Sequence, residues 1–379
     1  MNTINSLNTL KCYSCGNLNA EASIFCSKCI SPLNVKKLNE MTVEDLVTSS
    51  INLISNLPNI NLEKKELSIF EKDLLLSFLS AFWLRPETAL YQAAEAAIVA
   101  PIIAEHKNDK LLDLGCGNGI NSSILAGWRF KPSFDVFEDL DLDGDDIYDS
   151  LKQDTSEVEI EKNGRIIDFG VDIKKSMVQR AKLVGSFESV LQAEAAKIPV
   201  GSNSVGVVYS NVIRDFDSNG LDNALSECAR IIKPGGSLIF SSPTPEYQER
   251  LFYYTEAKKL EKAGRLAEAK YFLSFDRGRS EYCTQQISIE EWKVILNKHG
   301  FEIKNEYPLA GEILMSFWDT GLRPFTPVLI QLLNQVDNLK RQNLKKTIIN
   351  FSIDYLSKML ANDRETKNPA FRVIHAYKT

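Results

Sequence analysis

The sequence predicts an α/β protein: an open, largely parallel sheet with helical additions and a small metal-stabilised unit near its start. Three observations carry that expectation. "KLLDLGCGNG" is an apolar run that ends in an acid, Asp113, and breaks into a glycine turn. In open α/β sheets such a junction grips a nucleoside-like ligand. "GVDIKKSMVQRAK" repeats the scheme of strand, acid (Asp172) and helix, and "CYSCGNLNAEASIFCSKC" holds two C-x2-C pairs.

The composition bounds the function. The chain has 379 residues, 44% of them hydrophobic and 25% charged, ordinary values for a globular protein of one large domain or two. A formal net charge of −6 argues against nucleic acid as a partner, because a phosphate backbone needs a basic face. The lysine pairs are scattered and read as solvated faces. The first residues show neither the basic n-region nor the apolar core of a signal peptide. The most apolar run, "LLLSFLSAFWL", is too short to span a bilayer, so no membrane span is expected. Of the seven cysteines, four crowd the N-terminus. That usage suits a reducing, cytoplasmic setting and a metal site better than a disulfide framework.

In chain order, residues 1–38 come first. Cys12, Cys15, Cys26 and Cys29 can aim four thiolates at one tetrahedral ion, as Zn²⁺ prefers, with Gly16 at the tight turn of the first pair. The segment resembles a rubredoxin-type zinc ribbon. Four cysteine ligands leave no open position, so the zinc is expected to be structural. About 30 residues build no core of their own, so the metal supplies the folding energy. Residues 39–106 read as a helical cap region, with apolar residues at helical spacing and Pro86 placed for a first helical turn.

Residues 107–379 read as one domain. The order D-x-G-x-G-x-G, from Asp113 through Gly115, Gly117 and Gly119, resembles motif I of the class I S-adenosylmethionine (SAM)-dependent methyltransferases. Its neighbour Cys116 lies within the turn. "GVDIKKSMVQRAK" resembles that family's second strand, whose terminal acid holds the ribose hydroxyls. "LQAEAAKIPVGSNSVGVVYSNVI" resembles its acid-alanine segment and fourth strand, and "ALSECARIIKPGGSLIFSSPT" its [LI]-K-P-G-G turn and fifth strand. The resemblance covers roughly residues 110–244. It implies a seven-stranded Rossmann-like sheet and SAM as cofactor. The implied cofactor contacts are Asp113, Gly115, Cys116, Gly117, Asp172, Ile173, Glu194, Ala195 and Ser210. Glu194 stands where the family usually has an aspartate for the adenine amino group.

The ribose acid has a rival. "FDVFEDLDLDGDD" lies at the usual spacing after the glycine turn and offers Glu138. It lacks the following helix, since "DLDLDGDDIYD" is poor in helix formers. It is therefore assigned to an insertion at about 127–164, as a solvated acidic loop. Asp139, Asp141, Asp143 and Gly144 match the first half of an EF-hand loop, but Ser150 occupies the position of the bidentate glutamate. Two further additions, at about 246–279 and 310–369, read as helical lids. Between them "SIEEWKVILNKHGFEIKNEYPL" resembles the last helix and sixth strand, with Ser288 and Glu291 as a capping box. "AFRVIHAYKT" is the expected seventh, antiparallel strand.

Methyl transfer needs an in-line nucleophile, positioning and a base where the acceptor carries a proton. Candidate residues at the acceptor side follow the fourth strand: Asn211, Arg214 and Asp215, the last two alternatively a surface ion pair. The histidines, His106, His299 and His375, read as helix-end or strand residues. "FWLRPE" and "FWDTGLRPF" both place an aromatic pair before Leu-Arg-Pro, so Arg85 and Arg323 are candidates for clamping an anionic acceptor group, against a plain reading as two helix starts. Tyr253 and Tyr254 are candidates for lining the same pocket. The expected function is a SAM-dependent methyltransferase with a small-molecule acceptor such as a sugar, lipid precursor or secondary metabolite. The alternatives are an RNA or protein methyltransferase that uses the ribbon for recognition, against which the acidic balance weighs, and a non-catalytic SAM-binding scaffold.

Protein purified without chelator should carry about one zinc per chain by elemental analysis, the stoichiometry of one four-thiolate site. Four freely titratable thiols in folded, zinc-free protein would remove the ribbon.

Overall fold

The computed structural model describes residues 9–11, 18–20, 65–137, 158–276, 279–282, 286–322 and 325–379. The chain divides into two compact units, Met1–Asn61 and Leu62–Thr379. Within the first, β1 (Thr9–Lys11) and β2 (Leu18–Ala20) pair antiparallel, with Leu10 opposite Asn19. Cys12, Cys15, Cys26 and Cys29 lie outside the described residues.

The second unit opens with α1 (Ile69–Ala81) and α2 (Pro86–Glu105). Ser68 and Glu71 cap α1 reciprocally, satisfying two amides that the first helical turn leaves without partners. Pro86 starts α2, where its missing N–H costs nothing. Then follow β3 (Leu111–Leu114), α3 (Ile120–Leu125), β4 (Arg129–Phe130), β5 (Ile160–Lys162), β6 (Ile167–Asp172), α4 (Lys175–Val184), β7 (Phe187–Gln192) and β8 (Val205–Ser210). After α5 (Ser218–Ile231) and β9 (Ile232–Pro243) come three helices: α6 (Phe252–Lys262), α7 (Leu266–Asp276) and α8 (Arg279–Tyr282). The remainder is α9 (Ile289–Lys298), β10 (Phe301–Leu309), α10 (Glu312–Thr320), α11 (Thr326–Leu333), α12 (Asn338–Asp363) and β11 (Phe371–Lys378).

The main sheet has seven strands in the order β7-β6-β3-β8-β9-β11-β10, a Rossmann-like methyltransferase topology. β11 is antiparallel to both neighbours, and the other described pairings in this sheet are parallel. The chain winds outward from β3 through β6 to β7, then returns to β8 on the other side. The crevice beyond the ends of β3 and β8 is therefore the switch point at which open α/β sheets bind ligands. Every residue of β3 and β8 is buried, as in central strands covered on both faces. One face packs Val208, Phe240, Leu225, Trp292 and Leu296 into a single core. The Lys-Pro-Gly-Gly segment is a wide bulge inside β9: Val205 pairs Ile232, and two residues later Val207 pairs Ser237. At Gly236 a Cβ would stand 2.7 Å from the Gly206 carbonyl oxygen, so the bulge needs glycine there.

β6, not the "SFDVFE" segment, lies beside β3. Residues 131–137 form turns, and Glu138 with the EF-hand-like acids lies outside the described residues. The expectation of a solvated loop fails at its start. Asp135 is buried and ion-paired with Arg341 of α12 at 2.8 Å, and Phe137 is fully buried. Lys345, also on α12, donates to the carbonyls of Pro132 and Phe134, so the segment is clamped to that helix.

Arg341→Met would leave the Asp135 carboxylate buried without its cation. Breaking a buried pair from one side costs about 3–5 kcal/mol. Urea unfolding should show a loss of that size, whereas a loss below about 1 kcal/mol would mark the pair as solvated.

Candidate functional site

Three strands end at one edge of the sheet. At the end of β3 the turn runs through Gly115, Gly117 and Gly119, all with positive φ. A Cβ at Gly115 would lie 2.3 Å from a Val212 methyl carbon, and one at Gly119 would lie 2.8 Å from the Phe187 ring. At Gly117 it would meet nothing within 4 Å, so this glycine alone of the three faces open space. Cys116 points the other way. Its thiol packs with Val178, Ala181 and Val190, and burial pushes its pKa up, so it is no nucleophile.

Asp172, the last residue of β6, holds the turn. Its Oδ2 accepts from the Gly117 N–H at 2.9 Å and its Oδ1 from the Lys174 N–H at 2.8 Å. An ionised carboxylate has about four acceptor positions, so each oxygen keeps capacity for a ligand hydroxyl. Next to it Ile173 is 63% exposed, an apolar side chain left uncovered at the strand end. Glu194 is exposed in the turn after β7, and Ala195 is half-buried against the core. Open space at Gly117, spare acceptors at Asp172 and an apolar platform at Ile173 fit a cofactor with a ribose and an adenine ring.

Asp113 is fully buried and accepts a hydrogen bond from the Ser122 hydroxyl. Burial pushes its pKa up to about 7, Ser122 opposes the rise, and the nearby Asp172 and Glu95 add to it. Ser210 donates to the Leu114 carbonyl at 2.9 Å and accepts from the Val212 N–H at 3.3 Å. Its hydroxyl thus ties β8 to β3 and shapes the following turn.

Beyond β8, Asn211 is half-buried and Asp215 exposed. Arg214 turns inward. Its Nη1 donates to the Tyr91 hydroxyl at 3.0 Å and lies 3.4 Å from Ser241 Oγ, and its guanidinium stands over the Tyr91 and Phe371 rings. Its Nε is 3.8 Å from Asp215. Trp318 packs on Tyr91 at 4.8 Å between ring centroids. The reading of Arg214 and Asp215 as a surface pair therefore fails for the arginine.

Glu95 of α2 was legible only as a helical residue. It is 1% exposed, with the Ser241 and Tyr209 hydroxyls as hydrogen-bonding neighbours of its carboxylate. Burial raises its pKa, Arg214 opposes the rise, and the hydroxyls of Ser241 and Tyr209 stand close enough to favour its anion slightly. Tyr91 and Glu95 are four apart on one helix face. An acid among alanines in "YQAAEAAIVA" was the available signal.

A second buried polar group lies at the start of α2. Arg85 Nε is 3.9 Å from Glu87 Oε1, and the Leu322 N–H meets Glu87 Oε2 at 3.3 Å. The two Leu-Arg-Pro segments thus meet at Glu87, while Arg323 itself lies outside the described residues. Arg279 of α8 pairs with Asp319 of α10 at 3.1 Å, and Asp319 accepts from the Tyr253 N–H at 2.8 Å. The Tyr253 ring stacks on Phe275, and Lys258 stands over Tyr254. The histidines stay outside the site: His106 and His299 end α2 and α9, and His375, pushed down to about 4 by burial, meets Ser237 at 2.9 Å. Among the described residues there is no cluster of metal-ligating side chains and no helix long and apolar enough to cross a membrane.

Residues 158–240 match a family described as methyltransferase domain. Two curated proteins are similar over short stretches. Malonyl-[acyl-carrier protein] O-methyltransferase 1 of Coxiella burnetii is 32% identical over 85 residues, 22% of this chain and 27% of that protein. Malonyl-[acyl-carrier protein] O-methyltransferase of Buchnera aphidicola is 32% identical over 72 residues, 19% of this chain and 29% of that protein. The chain thus spans less than a third of the length of these relatives. Among solved structures, a SAM-dependent methyltransferase from Thermotoga maritima aligns at 16% identity and a TM-score of 0.36, over 72% of this chain and 83% of that one. The stretch that matches the methyltransferase domain begins downstream of the glycine turn, inside the insertion.

Between about pH 4 and 7 the folded chain holds a proton at Asp113 that the unfolded chain has released. Asp113 therefore makes stability fall as pH rises through that window and level off above it. Asp113→Asn should lack this component. In urea unfolding, the stability difference between variant and wild type should move in the variant's favour by a few kcal/mol from pH 4 to pH 8. A difference independent of pH would show that Asp113 is ionised throughout.

Proposed function

We propose that this chain is a SAM-dependent methyltransferase acting on a small-molecule acceptor. The observation that carries the proposal is the edge formed by β3, β6 and β8. There a glycine turn opens at Gly117, a bridging carboxylate stands at Asp172, and an inward arginine follows the next strand. The methyltransferase-domain match over 158–240 supports it.

Gly115 and Gly117 would bring backbone close to the cofactor, Asp172 would accept from its ribose hydroxyls, and Ile173 would pack on its adenine. Glu194 and Ala195 would complete the adenine side. When bound, SAM supplies an electrophilic methyl on a sulfonium. Asp113 and Ser210 shape the turns without offering a free side chain.

A small acceptor suits the covering of this edge. The rings of Tyr91 of α2 and Phe371 of β11 flank Arg214, Trp318 of α10 packs on Tyr91, and a polar knot of Glu87, Arg279 and Asp319 joins the helices. Enclosure of this kind excludes water and leaves room for a small ligand. Arg85, Tyr253 and Tyr254 of these covering elements, together with Arg323, would line the acceptor pocket, and Asn211, Arg214 and Asp215 its other side. The N-terminal cysteines would hold a structural zinc.

Asp172→Asn should weaken SAM binding by roughly 10- to 150-fold, the worth of a charge-assisted hydrogen bond. Glu188→Gln, exposed on the neighbouring β7, should change it by less than about twofold. Isothermal titration with SAM checks both, with circular dichroism confirming the fold. Equal affinities in all three proteins would remove Asp172 from the cofactor site.

A further inference from the structure

At the end of the sheet away from the glycine turn, four polar side chains stand in a row. Asp109 Oδ2 is 3.1 Å from His106 Nδ1, His106 Nε2 is 3.1 Å from Ser237 Oγ, and Ser237 Oγ is 2.9 Å from His375 Nε2. His106 ends α2, Ser237 lies in β9 and His375 in β11. Ser237 and His375 are buried, whereas His106 and Asp109 are half-buried. An acid, an imidazole and a serine in line are also the parts of an activated nucleophile. Here the hydroxyl is buried and a second imidazole occupies its other side, which rules that use out.

Counting protons fixes the direction of the row. Lys233 pairs with Asp109, and its ammonium and then the His106 ring hold the Asp109 carboxyl below the usual carboxylate range, so Asp109 only accepts. His106 Nδ1 therefore carries a proton, and in the neutral ring Nε2 is bare. Ser237 has one hydroxyl proton for two facing ring nitrogens. It goes to the bare His106 Nε2, and His375 then donates to Ser237 through an Nε2–H. Burial first, then the nearby Lys304 and His106, push the His375 pKa down to about 4 against the pull of Glu105, so this ring stays neutral. Glu105 and Lys304 face each other across α2 and β10, and the Arg165 guanidinium donates to the His106 and Asp109 carbonyls.

We propose that this row is a pH-sensitive relay in which protonation of half-buried His106 switches buried His375 from its Nε2–H to its Nδ1–H tautomer through the Ser237 hydroxyl. The His375 Nε2–H bond breaks as its proton passes to Ser237 Oγ. The hydroxyl proton passes to His106 Nε2, and one proton from solvent forms the new Nδ1–H bond on His375. All three hydrogen bonds remain, but those at Ser237 reverse direction. The positive charge rests on His106 beside the Asp109 carboxylate. A surface protonation is thus registered between β9 and β11 without a charge entering the sheet, where burial would penalise it.

Nitrogen-15 spectra of the full chain, labelled at its three histidines, distinguish a ring nitrogen that bears a proton from a bare one. Imidazoles titrate between about pH 5 and 8. Across that span His375 should change from a protonated Nε2 to a protonated Nδ1, with the same midpoint as His106. In Ser237→Ala, His106 should still titrate and His375 should keep one tautomer throughout. If that variant does not fold, His106→Gln carries the same expectation for His375. The relay is overturned by a His106 that does not titrate in this span, or by a wild-type His375 that keeps one tautomer or gains a second proton. A tautomer switch that survives in either variant overturns it as well.

Discussion

Two carboxylates, Asp113 and Glu95, are buried, the charge of Glu95 adds to the cost of ionising Asp113, and the site is organised around that fact. Desolvating one carboxylate is expensive, and desolvating two side by side is more so. The chain manages Asp113 with the Ser122 hydroxyl and with a pKa near neutrality. It manages Glu95 with Arg214, whose guanidinium is held by the Tyr91 hydroxyl and the faces of Tyr91 and Phe371. An acid-lined edge of low dielectric favours a cationic ligand over a neutral one. The proposed cofactor carries its positive charge at the sulfonium, and the charge disappears when the methyl leaves. The same acids would thus favour the reactant over the spent cofactor.

The covering elements are tied together by buried charge as well as apolar packing. The chain enters from β9 into α6–α8 and from β10 into α10–α12, and β9 and β10 both run opposite to β11. Both additions therefore leave the sheet at the edge that carries the glycine turn. Asp363 at the end of α12 accepts from the Gly311 and Leu314 amides at the start of α10, closing that addition on itself. Glu87 reaches Leu322, and Arg279 reaches Asp319. Each of these polar groups meets these partners only in the assembled arrangement, which gives the helices a defined docking where apolar contacts alone would tolerate slippage.

Much of the sheet was legible because its signals are local. Asp113 with its glycines, Asp172 followed by a helix, and the Lys-Pro-Gly-Gly bulge each follow from backbone demands within a few residues. The Ser288–Glu291 capping box and the Pro86 helix start follow in the same way. What stayed hidden depends on contacts between distant elements. Glu95 reads as an ordinary helix former until Tyr209, Ser241 and Arg214 surround it. Asp135 reads as one acid in a solvated run, and only Arg341, 206 positions away, makes it a buried partner. At the paired Leu-Arg-Pro segments the Leu322 amide meets Glu87, a contact that the repeated motif does not name. The proposed pairing of Arg85 with Arg323 falls partly outside the described residues.

The long separation between the glycine turn and its acid needs no unusual geometry. Gly117 and Asp172 are 55 positions apart in the chain, yet their hydrogen bond is 2.9 Å long. The insertion leaves and returns at almost one point, because Arg129 pairs with Lys162 across β4 and β5. Gly164 sits so close to the end of α3 that a Cβ there would lie 2.4 Å from the Ala126 carbonyl oxygen. The Arg165 N–H donates to that same carbonyl at 2.8 Å, and the Trp128 indole donates to the Arg165 carbonyl at 2.7 Å. The β4–β5 pair therefore closes the insertion before β6 begins, and β6 enters the sheet as though α3 had led straight into it. The entropy of closing a loop grows only with the logarithm of its length, so an insertion pinched at its neck adds little cost. Spacing along the chain misleads at such a site, whereas the order of strand, acid and helix does not.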